Sequence, residues 1–178
     1  MNVRRTAHAL SQTINTYISR YPDEKPGLSP VWEALQQHVR AGACLHWGTC
    51  PAPQISPIVL DEEYRVLMLQ GHTRARFPEV GATDDFETFT EAAATLARAL
   101  GIGNLWVQPG FEIPLHLAFT RADARGGLRP QMVIRYLYRT HSSSAKFVEA
   151  APQMWVPLDE ADSGLAERVR SFTAEAIG

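Results

Sequence analysis

Residues 86–102 read "FETFTEAAATLARALGI". Phe86, Phe89, Ala93, Leu96 and Leu100 recur at three- and four-residue steps, which predicts a helix with one apolar side. Gly101 supplies the stop, because glycine takes the left-handed turn that ends a helix without a Cβ penalty. Two starts are open: Asp84 with Glu87, and Thr88 with Glu91, each an N-cap residue three positions ahead of a glutamate. Beyond Glu91 the segment carries no carboxylate, and its one strong charge is Arg98. It is a helix equipped for packing whose other face carries almost no chemistry.

Upstream, "ISPIVLD", "EE" and "YRVLMLQG" are two aliphatic runs around a short acidic turn, a hairpin pattern. "HTRARFPEVGATDD" at 72–85 is read as a loop that leads into the helix. Downstream, "NLWVQ", "FEIPLHLAF" and "QMVIRYLYR" read as strands, and alternation puts Arg135 on the face opposite Ile134 and Tyr136. "QMWVPLDE" gives a short strand and a turn, and "GLAERVRSFTAEA" a closing helix.

Two helices are expected before the hairpin. Leu10, Ile14, Ile18 and Tyr21 fall at helical spacing, so the first segment reads as a packed helix. Its first 22 residues are basic and free of Asp and Glu, which superficially suits a transit peptide, but no cleavage boundary follows. After a turn-rich "YPDEKPGLSP", Ser29 and Pro30 read as the cap and first residue of the second helix. Val31, Leu35 and Val39 form its face, and Gly42 closes it. The order predicts an α+β fold, layered as an α/β/α sandwich.

Composition narrows the function. The 178 residues suit one domain, and 45% hydrophobic with 20% charged residues is the balance of a soluble globular chain. A net charge of -2 offers no basic field for nucleic acid or an anionic membrane. No apolar run approaches the ~20 residues that cross a bilayer. Cys44 and Cys50, with His46 between them, match no common zinc or redox spacing and read as two reduced thiols of a cytoplasmic protein. No Ser-His-acid arrangement, phosphate-binding glycine loop or dinucleotide fingerprint is present.

The succession "RFPEVG" (76–81), "EAA" (91–93), "LGI" (100–102), "RYLYR" (135–139) and "WVPLDE" (155–160) resembles the Nudix family. The two leading helices are similar to those of a bacterial Nudix subgroup. The resemblance implies a mixed β-sheet between helical layers, with residues 1–42 as a helical extension packed on a Nudix-like domain of 43–178. It also implies hydrolysis of a nucleoside diphosphate linked to another group, with magnesium or manganese held by glutamates of a G-x5-E-x7-R-E-U-x-E-E-x-G-U helix. Hard divalent ions need oxygen ligands, and carboxylates one turn apart present them on one face.

Those carboxylates are missing here. Anchored at Gly101, the family's arginine-glutamate pair falls on Ala94 and Thr95 and its glutamate pair on Arg98 and Ala99. Anchored instead at Pro78 and "EAA", the positions become Thr95 and Leu96, then Ala99 and Leu100. With Gly101 as the anchor the first glycine and glutamate fall on Val80 and Phe86, whereas an anchor at Gly81 puts Glu87 at the first glutamate and still loses the rest.

The expectation is therefore a Nudix-fold protein without classical pyrophosphohydrolysis, which binds a small metabolite in the ancestral cleft or acts on it without metal, by isomerisation, cyclisation or elimination. No cofactor is expected. The alternatives are a divergent hydrolase whose magnesium or manganese ligands lie within Glu79–Glu91, and a non-catalytic interaction module, with a homodimer possible. Glu79, Glu87 and His72 are the candidate catalytic residues, as groups able to move protons. Arg74, Arg76, Arg135, Trp47 and His116 are candidate ligand-binding residues; the "HTRAR" loop suits a phosphate or carboxylate. Glu79 takes the place of a family glycine and points either into the cleft or to water.

Overall fold

A computed structural model describes residues 3–41, 51–71, 74–81, 86–107, 112–120, 130–149 and 152–175. Helices α1 (Val3–Arg20) and α2 (Lys25–Ala41) come first, joined through a 3-10 turn at Pro22–Glu24. Strands β1 (Ala52–Leu60), β2 (Arg65–Leu69) and β3 (Val80–Gly81) lead to α3 (Phe89–Ala99). Strands β4 (His116–Thr120), β5 (Gln131–Arg139) and β6 (Gln153–Pro157) follow, then α4 (Leu158–Ala161) and α5 (Ser163–Glu175). The six strands form one mixed sheet ordered β4-β5-β1-β2-β6, with β3 on β1. β1 runs parallel to β5 from the Ala52–Gln131 pair to the Leu60–Arg139 pair.

The other edge of β1 is shared. β2 pairs with it at Leu60, while β3 pairs with it at Gln54 and Ile55. The intervening chain is tied back to β2 where Leu69 and Arg76 exchange backbone hydrogen bonds of 2.8 and 2.9 Å. The expected loop at 72–85 thus contains a backbone bridge and a short strand, because its amides find partners on the sheet.

Alternation along β5 divides the core. Ile134, Tyr136 and Tyr138 join Ile55, Val59 and the helices α1, α2 and α3 on one face. Leu137 joins Ile58, Leu60, Val66 and the α5 residues Leu165, Ala166 and Val169 on the other. These two clusters make the α/β/α sandwich. Arg168 of α5 bridges them: it meets Tyr17 of α1, Glu24, and the Leu115 carbonyl at 3.0 Å, and lies 4.7 Å from the Tyr21 ring centre.

α3 starts at the second of its two possible caps. The Thr88 hydroxyl accepts from the Glu91 amide at 3.0 Å, and the Glu91 carboxylate accepts from the Glu87 amide at 2.9 Å. Its deepest residues are Ala92, Ala93 and Ala97 rather than the larger members of the apolar stripe, so that the helix approaches β1 and β5 closely. Phe86, Phe89 and Leu96 pack at the margin. Gly101 has φ +82°, the left-handed stop, and the Ile102 amide closes the helix on the Ala97 carbonyl at 3.1 Å.

Three elements differ from expectation. α2 begins at Lys25, so Pro30 is interior and the Ser29 hydroxyl donates back to the Lys25 carbonyl at 2.9 Å. Burial of Leu28 alongside Val31 and Leu35 extends the packed face by a turn and outweighs the hydrogen bond that Pro30 forgoes. The described part of "NLWVQ", residues 104–107, forms no strand. Among the described residues Trp106 alone of it bridges, to Arg139, and Asn104 at φ 47° breaks the extended run. The expected "FEIPLHLAF" strand is confined to its end, beginning at His116 after Pro114. Gly42, Cys44, His46, Cys50, Asp84 and Asp85 lie outside the described residues.

Candidate functional site

Where β2 and β3 part along β1, a cavity of about 410 Å³ opens on the α5 side of the sheet. Met68, Leu69, Ala75, Phe77 and Ala161 supply its apolar walls. Arg74, Arg76, Glu79, Arg135 and Asp162 supply its charges. Of the sequence candidates, the fold brings Arg74, Arg76, Glu79 and Arg135 together here.

Arg135 reaches the cavity from the middle of β5, and its antiparallel partner on β4 is His116. Cross-strand neighbours share a face, so the two side chains meet: Arg135 Nη1 lies 2.7 Å from His116 Nδ1. An arginine in a protein stays protonated and has no acceptor, so the ring must accept at Nδ1 and carry its proton on Nε2. Burial, then the neighbouring Arg135 and Arg168 charges, pushes the His116 pKa down to about 4. His116 therefore enters the site through Arg135.

Glu79 points into the cavity, with Oε1 4.0 Å from Arg135 Nη2. The Phe77 ring centre lies 5.3 Å from the Arg135 guanidinium carbon. Burial lowers the Arg135 pKa, while Glu79 and Asp162 oppose that shift. Its Nε–H is buried and has no hydrogen-bond partner among the described residues. Arg74 and Arg76 are exposed at the rim. Glu87 stands apart at the exposed entry to α3 and is not among the residues around the cavity. His72 and Trp47 lie outside the described residues.

Sequence reasoning missed Phe77 and Asp162. Asp162 accepts from the Leu165 amide at 3.0 Å, an N-cap for α5, and the spacing of "ADSGL" was a signal that could have found it. The exposed residues of α3 are Glu91, Thr95, Arg98 and Ala99. Among the described residues, no three His, Cys, Asp or Glu side chains are grouped to hold a metal ion. No described helix is long and apolar enough to cross a membrane.

The chain matches no family model and no curated protein sequence. Solved structures do match. A binary complex of the C. elegans Ap4A hydrolase is 14% identical, with a TM-score of 0.53 over 70% of this chain and 98% of that one. The Nudix domain of Shewanella oneidensis NrtR, complexed with ADP ribose, is 15% identical, with a TM-score of 0.47 over 69% of this chain and 88% of that one. The element order, the mixed sheet between helical layers and the likeness to the hydrolase agree: this chain has the Nudix fold.

Proposed function

We propose that this protein binds a small metabolite in the cavity beside Arg135 and does not carry out the metal-dependent cleavage of diphosphate-linked nucleosides. The exposed face of α3 carries this reading. Past Glu91 it offers a hydroxyl, a methyl and the fixed positive charge of Arg98. A hard divalent ion requires several oxygen donors, and a cation in that position repels it. The residues of α3 do not fit magnesium or manganese.

The cavity supports the binding part. It joins apolar walls to a few convergent polar groups, the usual make-up of a small-molecule site. Arg135 is placed to hold an oxyanion. Glu79, a carboxylate in the same cavity, is placed to accept or return a proton, as an isomerisation, cyclisation or elimination would need. Residues 1–42 form, on this reading, a helical extension packed on a Nudix-like unit of 43–178; the core that α1 and α2 share with the sheet supports the packing.

A phosphate-release assay coupled to alkaline phosphatase, which frees phosphate from monoester products but not from an intact diphosphate link, tests the proposal with magnesium and with manganese on a panel of nucleoside diphosphates linked to sugars, nucleosides and alcohols. The expected result is no turnover above the protein-free control. Turnover that disappears in Glu79→Gln or Glu87→Gln would overturn it and place metal ligands in the 79–91 region.

A further inference from the structure

Arg135 differs from Arg65 and Arg168, which are also partly buried, in how its charge is met. Arg65 holds Asp61 at 2.7 Å through Nε, and Arg168 meets Glu24 and Tyr17 directly. Arg135 is 15% exposed, yet its close partner is an uncharged imidazole, and its nearest carboxylate among the described residues stands at 4.0 Å. A largely desolvated charge is costly unless it is paired. The side chain has the position and preorganisation of a pair whose second member arrives from solution.

The surrounding charges limit what that member is. Three arginines face two carboxylates around the cavity, which leaves a single positive charge. Asp162 is committed to capping α5. Glu79 is 40% exposed and, at 4.0 Å, beyond hydrogen-bond distance of Arg135, so it can swing aside. Arg74 and Arg76 sit exposed at the rim, where solvent weakens their pull. A phosphate dianion would want a second desolvated cation, whereas a carboxylate matches one guanidinium. Met68, Leu69 and Phe77 favour an apolar body behind it.

Resting on the proposed cavity reading, we infer that Arg135 anchors the carboxylate of a compact monoanionic ligand, that His116 is the positioning residue that orients Arg135 through Nδ1, and that Glu79 is the counter-ion the ligand displaces. Glu79 then acts against binding, the reverse of a group that recruits the ligand.

Titration calorimetry and ligand-observed NMR with benzoate, butyrate, inorganic phosphate and AMP, each without metal up to about 20 mM, provide the test. Benzoate or butyrate binds the wild type, and Arg135→Gln weakens binding about tenfold. Glu79→Gln, at a half-exposed position that does not threaten folding, tightens carboxylate binding about threefold or more. His116→Asn retains an acceptor near Nδ1 and keeps the affinity, while His116→Leu loses about tenfold with the fold intact by thermal melting. Carboxylate binding that ignores Arg135→Gln, or that weakens in Glu79→Gln, overturns the inference. Binding of phosphate or AMP alone, lost in Arg135→Gln, overturns the carboxylate assignment and leaves the cavity reading standing. Silence from all four probes overturns both.

Discussion

Replacing Gly101 by alanine tests whether the end of α3 is specified by backbone conformation. At φ +82° a Cβ costs about 1–2 kcal/mol from local sterics alone. It would also stand 1.8 Å from the Lys146 carbonyl oxygen and 2.7 Å from its carbon, so one backbone segment must move. That segment is held where the Lys146 amide donates to the Gly101 carbonyl at 2.8 Å and the Gly103 amide to the Ser144 carbonyl at 3.1 Å. Ile102, fully buried beside them, bridges to Ala145. Losing one or two such bonds, at about 1 kcal/mol each, and disturbing Ile102 brings the total to about 3–5 kcal/mol.

Gly27 is the control. It lies in the first turn of α2, and a Cβ there meets nothing within 4 Å. Gly27→Ala should stabilise by about 0.5 kcal/mol, since glycine has the greater freedom to lose on folding. For a chain of this size each kcal/mol moves the melting temperature by roughly 2–4 °C. Calorimetry should therefore show Gly101→Ala melting about 10 °C lower and Gly27→Ala unchanged or about 1–2 °C higher. A Gly101→Ala protein that melts within about 2 °C of the wild type would refute the argument.

Two other changes address buried polar groups. Asp61 is fully buried and accepts from the Glu63 amide at 3.0 Å, the Arg65 amide at 2.8 Å and Arg65 Nε at 2.7 Å. Asp61→Ala strands all three donors and should lower stability by about 3 kcal/mol, while Asp61→Asn keeps one oxygen and loses about half as much; urea unfolding measures both. His116, held down to about 4 in the folded chain against 6.5 for the free group, binds its proton first in the unfolded chain. Its contribution is intact above about pH 6.5 and is lost as pH falls toward about 4, a difference of about 1–2 kcal/mol after solvent screening. Wild-type stability relative to His116→Asn should decline across that window; parallel urea midpoints from pH 7 to about 4 would refute it.

Periodicity and glycine marked out α3, because both the helix and its stop depend on local chemistry: the alanine face recurs at helical spacing, and Gly101 meets a backbone demand. Where two local signals competed, sequence could not choose. Thr88 and Asp84 were equal as caps, and the geometry at Glu91 selects Thr88. At Ser29 and Pro30 the local signal was strong and misplaced, since the burial of Leu28 is a tertiary fact. The site was half legible for a similar reason. Alternation put Arg135 on its face of β5, but its pairing with His116 depends on the register of β4 against β5, which periodicity within either strand does not fix. Phe77 and Asp162 come to Arg135 from elements distant in sequence, and no spacing encodes that approach.

The structure also separates two demands that the same helix usually meets together. The packing of α3 rests on Ala92, Ala93 and Ala97, all turned to the sheet, with Leu100 and Gly101 closing its end. Thr95, Arg98 and Ala99 are exposed. Exposed substitutions away from caps and cores usually change stability by within about 0.5 kcal/mol, so the chemistry of this face can vary while the fold is retained. Nothing comparable protects the cavity. Arg135 and His116 lie on paired strands beneath α5, and a change at either alters desolvation, hydrogen bonding and packing at once. A desolvated guanidinium without a contact carboxylate persists against a folding cost that a neutral residue would avoid. On the proposed reading, that cost is offset when the ligand binds, and function resides at β5 rather than on the helix through which the fold is recognised.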